Sequence, residues 1–172
     1  MKYYAGIGSR NTPTAIQMEM MFLGRVAAKK GLILRSGGAN GADLAFERGC
    51  DSAKGIKQIY LPFKGFNESD SPYYGVCEEA QNMAEALHPN WRACGRVARL
   101  LMARNCYQIL DRSLDSPVDF VVCYTSDGTF KGGTGQALRL AKEQGIKIYN
   151  LYFRSDYVDV LQTIRRDYKH LR

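Results

Sequence analysis

The chain has 172 residues, of which 45% are hydrophobic and 24% are charged, so we expect one globular domain spanning 1–172 with a single buried core. No apolar run approaches the roughly 20 residues that cross a bilayer, and the N-terminus is too polar for a signal peptide. We therefore expect a cytoplasmic protein without a membrane partner. The net charge of +7 favours an anionic partner: a nucleotide, a nucleic acid or an acidic protein.

The five cysteines and two histidines show no spacing typical of a zinc site, because no CxxC pair is present. We predict no metal and expect reduced thiols in the core at Cys50, Cys77, Cys94, Cys106 and Cys123. The histidines, His88 and His170, are both distant in sequence from the motifs described below. The sequence therefore offers no candidate for a general base.

Apolar strand-like segments alternate with helical patterns along the chain, which is typical of βαβ units and a parallel sheet. Five strands are predicted, at 2–7, 32–35, 56–61, 118–124 and 146–151. Helices between the strands would cover both faces of this sheet. The predicted fold is therefore an α/β, Rossmann-like three-layer sandwich with a mostly parallel five-stranded sheet.

The first predicted helix has Thr12 as its N-cap, Pro13 as its first residue and Gly31 as its C-terminal cap. Its buried positions recur near the helical period at Ile16, Met20, Leu23 and Ala27. Further helices are predicted to end at about residue 49, to span 76–87 and 91–110, to end at residue 145, and to start at residue 156. The last of these helices includes the basic end RRDYKHLR.

The segment 62–90 interrupts the alternation, because it contains several prolines and glycines together with four aromatic residues before its single predicted helix. Long ordered excursions of this kind are often lids or binding loops. Two of its tyrosines, Tyr73 and Tyr74, and the following Trp91 offer rings that stack on a base. The alternative is that these aromatic rings belong to the core, as aromatic residues usually do.

Three predicted strands are followed by short glycine-rich turns, at residues 6–10, 36–43 and 132–136, each before a helix. Strands of a parallel sheet end at one edge, so these turns converge there. The first N–H groups of a helix are unpaired and attract phosphate. Glycines allow the backbone to approach the phosphate oxygens closely, and side chains such as Ser9 and Arg10 add hydrogen-bond donors. The alternative is that the turns only make tight connections. Because neither GxGxxG nor GxxxxGK[ST] is present, we predict no dinucleotide cofactor and no ordinary ATP hydrolysis.

Four motifs resemble the SLOG superfamily, which includes DprA/Smf and LOG-related proteins: GSR after the first strand, SGGANGAD after the second, ARN at 103–105, and GGTGQALRLAKEQGI. The resemblance covers most of the chain outside 62–90. It implies a Rossmann-like domain that binds nucleotides, nucleotide-derived signals or single-stranded DNA. It also implies a phosphate-binding site lined by Gly8, Ser9, Arg10, Ser36, Gly37, Gly38, Gly41, Asp43, Arg104, Asn105, Gly132, Gly133 and Thr134.

The chain departs from this superfamily in two respects. LOG phosphoribohydrolases have a PGGxGTxxE motif whose acid acts in catalysis, whereas the same spacing from Gly132 ends here at Arg139. DprA proteins usually have additional domains, and the resemblance leads us to expect that the present chain corresponds to their central domain alone. The first departure argues against glycosidic hydrolysis by the LOG route.

Two further groups of residues have alternative interpretations. Asp43 lies in the first turn of its helix, where it either holds the loop by capping or contacts a ribose hydroxyl. Arg92, Arg96 and Arg99 fall on one face of the predicted helix 91–110 and form either a solvated face or an anion-binding stripe.

Three functions follow from these observations. The first is a non-catalytic protein that holds a nucleotide or nucleotide derivative across the three turns. The second is a DprA-like mediator of recombination that binds single-stranded DNA, which the arginines and the charge favour. The third is a LOG-like nucleoside monophosphate phosphoribohydrolase, against which Arg139 argues. Assembly into a homo-oligomer is compatible with all three.

Overall fold

The computed structural model describes residues 2–167 as five parallel strands in one sheet, with six α-helices. The strands are β1 (Tyr3–Gly6), β2 (Ile33–Ser36), β3 (Lys57–Ile59), β4 (Phe120–Cys123) and β5 (Lys147–Asn150). The helices are α1 (Thr14–Lys29), α2 (Ala42–Ser52), α3 (Glu78–Leu87), α4 (Arg96–Leu110), α5 (Gly132–Glu143) and α6 (Arg154–Asp167). The sheet order is β3-β2-β1-β4-β5, which confirms the predicted Rossmann-like fold.

Two apolar clusters lie on opposite faces of the sheet and make it the middle of three layers. One face packs against α1, α2 and α6, and the other packs against α3, α4 and α5. Successive strand residues alternate between the clusters: Tyr4 faces α1 and α2, whereas Ala5 faces α4. A strand buried on both faces is a nearly continuous apolar run, which explains why β4 was recognisable in the sequence.

The predicted start of the first helix is shifted by one residue. Pro13 has an extended ψ of 145° and precedes α1, which begins at Thr14. The Thr12 hydroxyl donates to the carbonyl of Ser9 (2.7 Å) and so closes the turn after β1 instead of capping the helix. The predicted C-terminal cap is confirmed, since Gly31 follows the helix with a φ of +78°.

The predicted helix 91–110 is interrupted in the structure. Trp91–Ala93 forms a separate 3-10 turn, and α4 begins only at Arg96, because Gly95 is extended. The guanidinium of Arg99 donates to the carbonyls of Trp91 (3.2 Å) and Arg92 (3.4 Å) and ties the turn to the helix. Arg92 is therefore not on the helix that carries Arg96 and Arg99, and the prediction that the three arginines share one helical face is wrong.

The excursion 62–90 is anchored to the end of β3. The N–H of Leu61 donates to the carbonyl of Tyr73 (2.8 Å), and that of Gly75 donates to the carbonyl of Leu61 (3.1 Å). Tyr73 packs against Tyr60, whereas Tyr74 is exposed. The predicted helix of this segment is present as α3, and Phe66–Glu68 adds a short 3-10 turn.

The cysteines are all free thiols, but only three of them lie in the core. Burial raises the pKa of Cys50 to about 11 and that of Cys106 to about 12, and Cys123 is also buried. The prediction of a core position is wrong for Cys77, which is exposed at the start of α3, and Cys94 is half-buried. The sulfur of Cys77 accepts the N–H of Ala80 and caps that helix.

Within residues 2–167, no cluster of three or more histidine, cysteine or acidic side chains is arranged to hold a metal ion. None of the helices in this range is long and apolar enough to cross a membrane. Residues 168–172, which include His170 and most of the predicted basic end, lie outside the described part of the chain.

Candidate functional site

A cavity of about 410 Å³ lies at the carboxyl ends of the central strands. The chain proceeds from β1 to β2 and β3 on one side, and β4 and β5 lie on the other, so the strand order reverses between β1 and β4. Open α/β sheets bind ligands at such switch points, and the volume fits a small-molecule ligand.

Most of the predicted site residues line this cavity. They come from the turn after β1, the start of α2, the middle of α4 and the start of α5, and they are Gly8, Ser9, Arg10, Asp43, Arg104, Asn105, Gly132, Gly133 and Thr134. Four predicted residues, all from the SGGANGAD turn, are not part of the cavity lining: Ser36, Gly37, Gly38 and Gly41.

The SGGANGAD turn is closed by contacts within the protein. The Ser36 hydroxyl donates to the carbonyl of Gly6 (2.6 Å), and the N–H of Ala42 in the first turn of α2 donates to the carbonyl of Ser9 (3.3 Å). Gly41 has a φ of +82°, and a Cβ there would meet the carbonyls of Ser9 and Arg10. The structure therefore does not present the Ser36 hydroxyl or the N–H of Ala42 to a ligand, and the turn packs against the one after β1.

Gly37 makes room for an arginine from another layer. A Cβ at Gly37 would overlap the guanidinium of Arg104, which lies 4% exposed over the turn. The Gln108 amide is oriented by its neighbours: its oxygen accepts from Arg104 Nη1 (2.8 Å) and from the N–H of Gly37 (2.8 Å). The glycine is thus required for packing beneath the cavity.

Arg104 forms a buried ion pair with Asp43, with 3.4 Å between Nη1 and Oδ2. Burial raises the pKa of Asp43, and the attraction of Arg104 and the hydrogen bond from Ala39 oppose that rise. The same oxygen, Oδ2, accepts the N–H of Ala39 (3.4 Å), so Asp43 holds the turn that precedes it.

The next residue of α4 reaches a different element. The side-chain nitrogen of Asn105 donates to the carbonyl of Gly133 (3.0 Å). The side-chain oxygen of Asn105 accepts from the amide nitrogen of Gln108 (3.2 Å). Consecutive residues of α4, Arg104 and Asn105, therefore connect the start of α2 with the start of α5.

The first turn of α5 is open. Gly132 and Gly133 were predicted as a loop before the helix, but they form its first turn, and no side chain caps it. A Cβ at either glycine would meet no atom within 4 Å. The leading N–H groups of a helix have no acceptor inside it, so this turn presents donors to the cavity. Ser9 and Arg10 line the same cavity from the turn after β1.

The loop between β4 and α5 adds lining residues that the sequence reasoning missed. Asp127 accepts from the N–H (2.9 Å) and hydroxyl (2.7 Å) of Thr129 and from Lys131 Nζ (2.7 Å), and these bonds hold the pKa of its carboxyl well below the usual range. The available signal was the polar stretch SDGTFK directly after a predicted strand. Phe66 of the excursion also lines the cavity, with its ring 6.0 Å from the Arg104 guanidinium.

Arg139, which replaces the acid of the LOG motif, has a structural role. Its Nε donates to the carbonyl of Leu87 (2.8 Å) and its Nη1 to the carbonyl of Phe130 (2.9 Å). The side chain therefore ties α5 to the end of α3 and to the preceding loop. It is not among the residues that line the cavity.

No protein-family model and no curated protein sequence matches the chain significantly, but several solved structures do. DNA processing protein A from Helicobacter pylori has a TM-score of 0.60 and 19% identity, over 87% of this chain and 64% of that one. The same protein from Streptococcus pneumoniae has a TM-score of 0.53 and 14% identity, over 87% of this chain and 49% of that one. The protein TM1055 has a TM-score of 0.51 and 22% identity, over 86% of this chain and 72% of that one.

The chain thus spans less than two thirds of the two DNA processing proteins that it resembles. At these identities the likeness concerns the fold. The chain therefore has a Rossmann-like fold, which it shares with DNA processing protein A and with TM1055.

Proposed function

We propose that this protein binds the phosphate of a nucleotide or nucleotide derivative in the cavity and does not consume it. The observation that supports this function best is the uncapped, sterically open first turn of α5 at the switch point of the sheet. Backbone N–H groups and the positive end of the helix dipole attract a phosphate there, and Thr134 adds a hydroxyl.

Two exposed cations at the cavity support the same proposal. Arg10 lies on the turn after β1, and Lys131 directly precedes α5. Lys131 is paired with Asp127 (2.7 Å), so a bound phosphate competes with that carboxylate for the ammonium. Both partners of the pair are exposed, and such pairs are weak, so this exchange costs little.

The carboxylates of the cavity each have a partner within the protein. Asp43 forms a buried ion pair with Arg104, and Lys131 and Thr129 hold the pKa of Asp127 well below its usual range. Arg139 occupies the place of the LOG acid and is engaged with two carbonyls. These arrangements favour binding over hydrolysis.

The test is a calorimetric titration with a panel of nucleoside mono- and diphosphates. We expect binding by the parent chain and none by Gly133→Val, because the added side chain occupies the space in front of the first turn of α5. Gly95→Val is the matched control, since Gly95 is equally open, has an extended backbone and is not part of the cavity lining. Equal affinity of both variants and the parent for every nucleotide bound would refute the proposal.

The second candidate function is binding of single-stranded DNA, as in DNA processing protein A from Helicobacter pylori, which binds single-stranded DNA. The net charge of +7 and the exposed side chains of Arg10, Arg92 and Arg96 support it. Arg99 and Arg104 do not, because their guanidinium groups are engaged within the protein. A salt titration with single-stranded DNA separates this candidate from a free nucleotide.

A further inference from the structure

We infer that Asp43 and Arg104 together form a subsite for the ribose of the bound nucleotide and select a ribonucleotide over a 2′-deoxyribonucleotide. This inference rests on the proposed nucleotide-binding function and adds the chemical class of the ligand.

The ion pair leaves one acceptor and one donor for a ligand. Asp43 Oδ2 accepts both from Arg104 Nη1 and from the N–H of Ala39. Among residues 2–167, no group donates to Asp43 Oδ1 and none accepts from Arg104 Nη2, while both side chains line the cavity. Arg104 Nε is also buried without a partner in this range. Buried polar groups are normally satisfied, so the unpartnered Nε marks this guanidinium as a point of ligand contact, and Asp43 Oδ1 and Arg104 Nη2 are available to bond the same ligand.

A vicinal diol matches this arrangement. A hydroxyl group both donates and accepts, so one ribose hydroxyl donates to Asp43 Oδ1 while its neighbour accepts from Arg104 Nη2. Both protein groups are charged, and hydrogen bonds to charged groups are the stronger ones. The ion pair itself stays intact, because the ligand uses Asp43 Oδ1 and Arg104 Nη2, which take no part in the Nη1–Oδ2 contact.

The position of the pair in the cavity favours the sugar over the base. Asn105 follows Arg104 directly and is bonded to Gly133 in the phosphate-binding turn proposed above. The Phe66 ring lies 6.0 Å from the Arg104 guanidinium and also lines the cavity. The charged pair is thus connected to the α5 turn and lies near an aromatic ring, as the sugar of a nucleotide is joined both to its phosphate and to its base.

The test compares four ribonucleoside 5′-monophosphates with their 2′-deoxy counterparts by calorimetry at constant salt. We expect each ribonucleotide to bind about 10- to 100-fold more tightly, because the missing hydroxyl leaves a buried charged group without its hydrogen bond. If ribonucleotides and 2′-deoxyribonucleotides bind with equal affinity and Gly133→Val binds neither, the ribose subsite is refuted and the phosphate site is supported. Binding of neither series would overturn both proposals. A preference confined to one base would assign the pair to a base edge and likewise overturn the ribose subsite.

A variant on the same helix supplies a second readout. Asp43→Asn retains the shape and an acceptor for Ala39 but replaces the carboxylate, so we expect the ribose-to-deoxyribose affinity ratio to fall towards one. Glu47→Gln is the matched control, because Glu47 is bonded to Lys57 and is not part of the cavity lining; its ratio should equal that of the parent. A folded Asp43→Asn protein with an unchanged ratio would overturn the inference. The comparison on the parent chain needs no variant and decides the question even where Asp43→Asn does not fold.

Discussion

Glycines of the three turns are similar in sequence but differ in what surrounds them. At Gly37 an added Cβ would overlap the Arg104 guanidinium, and Gly38 has a φ of +65° with Ile59 and Leu61 side chains 3.1 Å from a Cβ. At Gly133 an added Cβ meets only open space. Substitutions of Gly37 and Gly38 therefore affect the fold, whereas a substitution of Gly133 probes the ligand site.

This difference predicts opposite effects of two alanine substitutions on stability. Gly37→Ala should lower the free energy of unfolding by about 1–3 kcal/mol, because the buried guanidinium must move to admit the methyl group. Gly133→Ala should leave it unchanged or raise it by up to about 0.5 kcal/mol, because alanine favours helix over glycine. Urea unfolding measures both. Equal stability losses in the two variants would contradict the packing role of Gly37.

At the scale of elements, α4 holds the site together. Its residues Arg104 and Asn105 reach α2 and the start of α5, and Arg99 secures the turn before the helix. Removing one partner of a buried ion pair leaves the other charge uncompensated, which costs far more than the pair contributes. α4 is therefore the element on which the shape of the cavity depends.

The Asn105 contact predicts a loss of affinity without a loss of fold. Asn105→Ala removes the hydrogen bond to the carbonyl of Gly133, so the first turn of α5 is less firmly held. We expect the free energy of unfolding to fall by about 1 kcal/mol and nucleotide affinity to fall several-fold. Parallel urea unfolding and calorimetry separate the two effects, and an unchanged affinity would show that α5 needs no support from α4.

The structural role of Arg139 in α5 predicts that hydrolysis is absent. Incubation of the protein with a panel of nucleoside monophosphates should release no free base above background, because Arg139 holds two carbonyls where LOG enzymes have an acid. Chromatography of the reaction mixture is the measurement. Turnover that depends on Asp43, or on Glu78 or Glu79 at the exposed start of α3, would contradict this expectation.

At the scale of the whole molecule, the question is whether the protein, with its net charge of +7, binds one phosphate or several. Binding of a single nucleotide in the cavity releases few counterions, so the affinity for that nucleotide depends weakly on salt concentration. A DNA strand that extends over the surface releases counterions at each contact, with a log–log slope of about −0.7 per phosphate. The exposed arginines Arg92 and Arg96 are available for such an extension.

The corresponding prediction concerns a fluorescent single-stranded oligonucleotide titrated at several salt concentrations. If DNA is the ligand, Arg92→Ala with Arg96→Ala should flatten the slope by about one to two phosphate contacts. The control is Arg25→Ala with Arg48→Ala, which removes the same charge from exposed positions of α1 and α2 on the other face of the sheet. Absence of binding at low salt would eliminate DNA and leave the nucleotide.

The sequence by itself determined the parallel sheet, the approximate ends of its elements and the sheet edge at which the candidate site is proposed. Apolar periodicity and the positions of glycines are local properties, and alternating strands and helices indicate a parallel sheet. The start of α4 was missed because the break at Gly95 depends on the bonds of Arg99 to the preceding turn.

Only the tertiary structure decided which glycine-rich turn is open. The sequence suggested three equivalent turns, but the carbonyl of Ser9 closes the start of α2, and Arg104 occupies the space beside Gly37. The ion pair of Asp43 joins residues 61 positions apart, and the bond of Asn105 to Gly133 joins residues 28 apart. Spacing along the chain describes one turn at a time, whereas whether a turn's donors remain free depends on groups that folding brings from other layers.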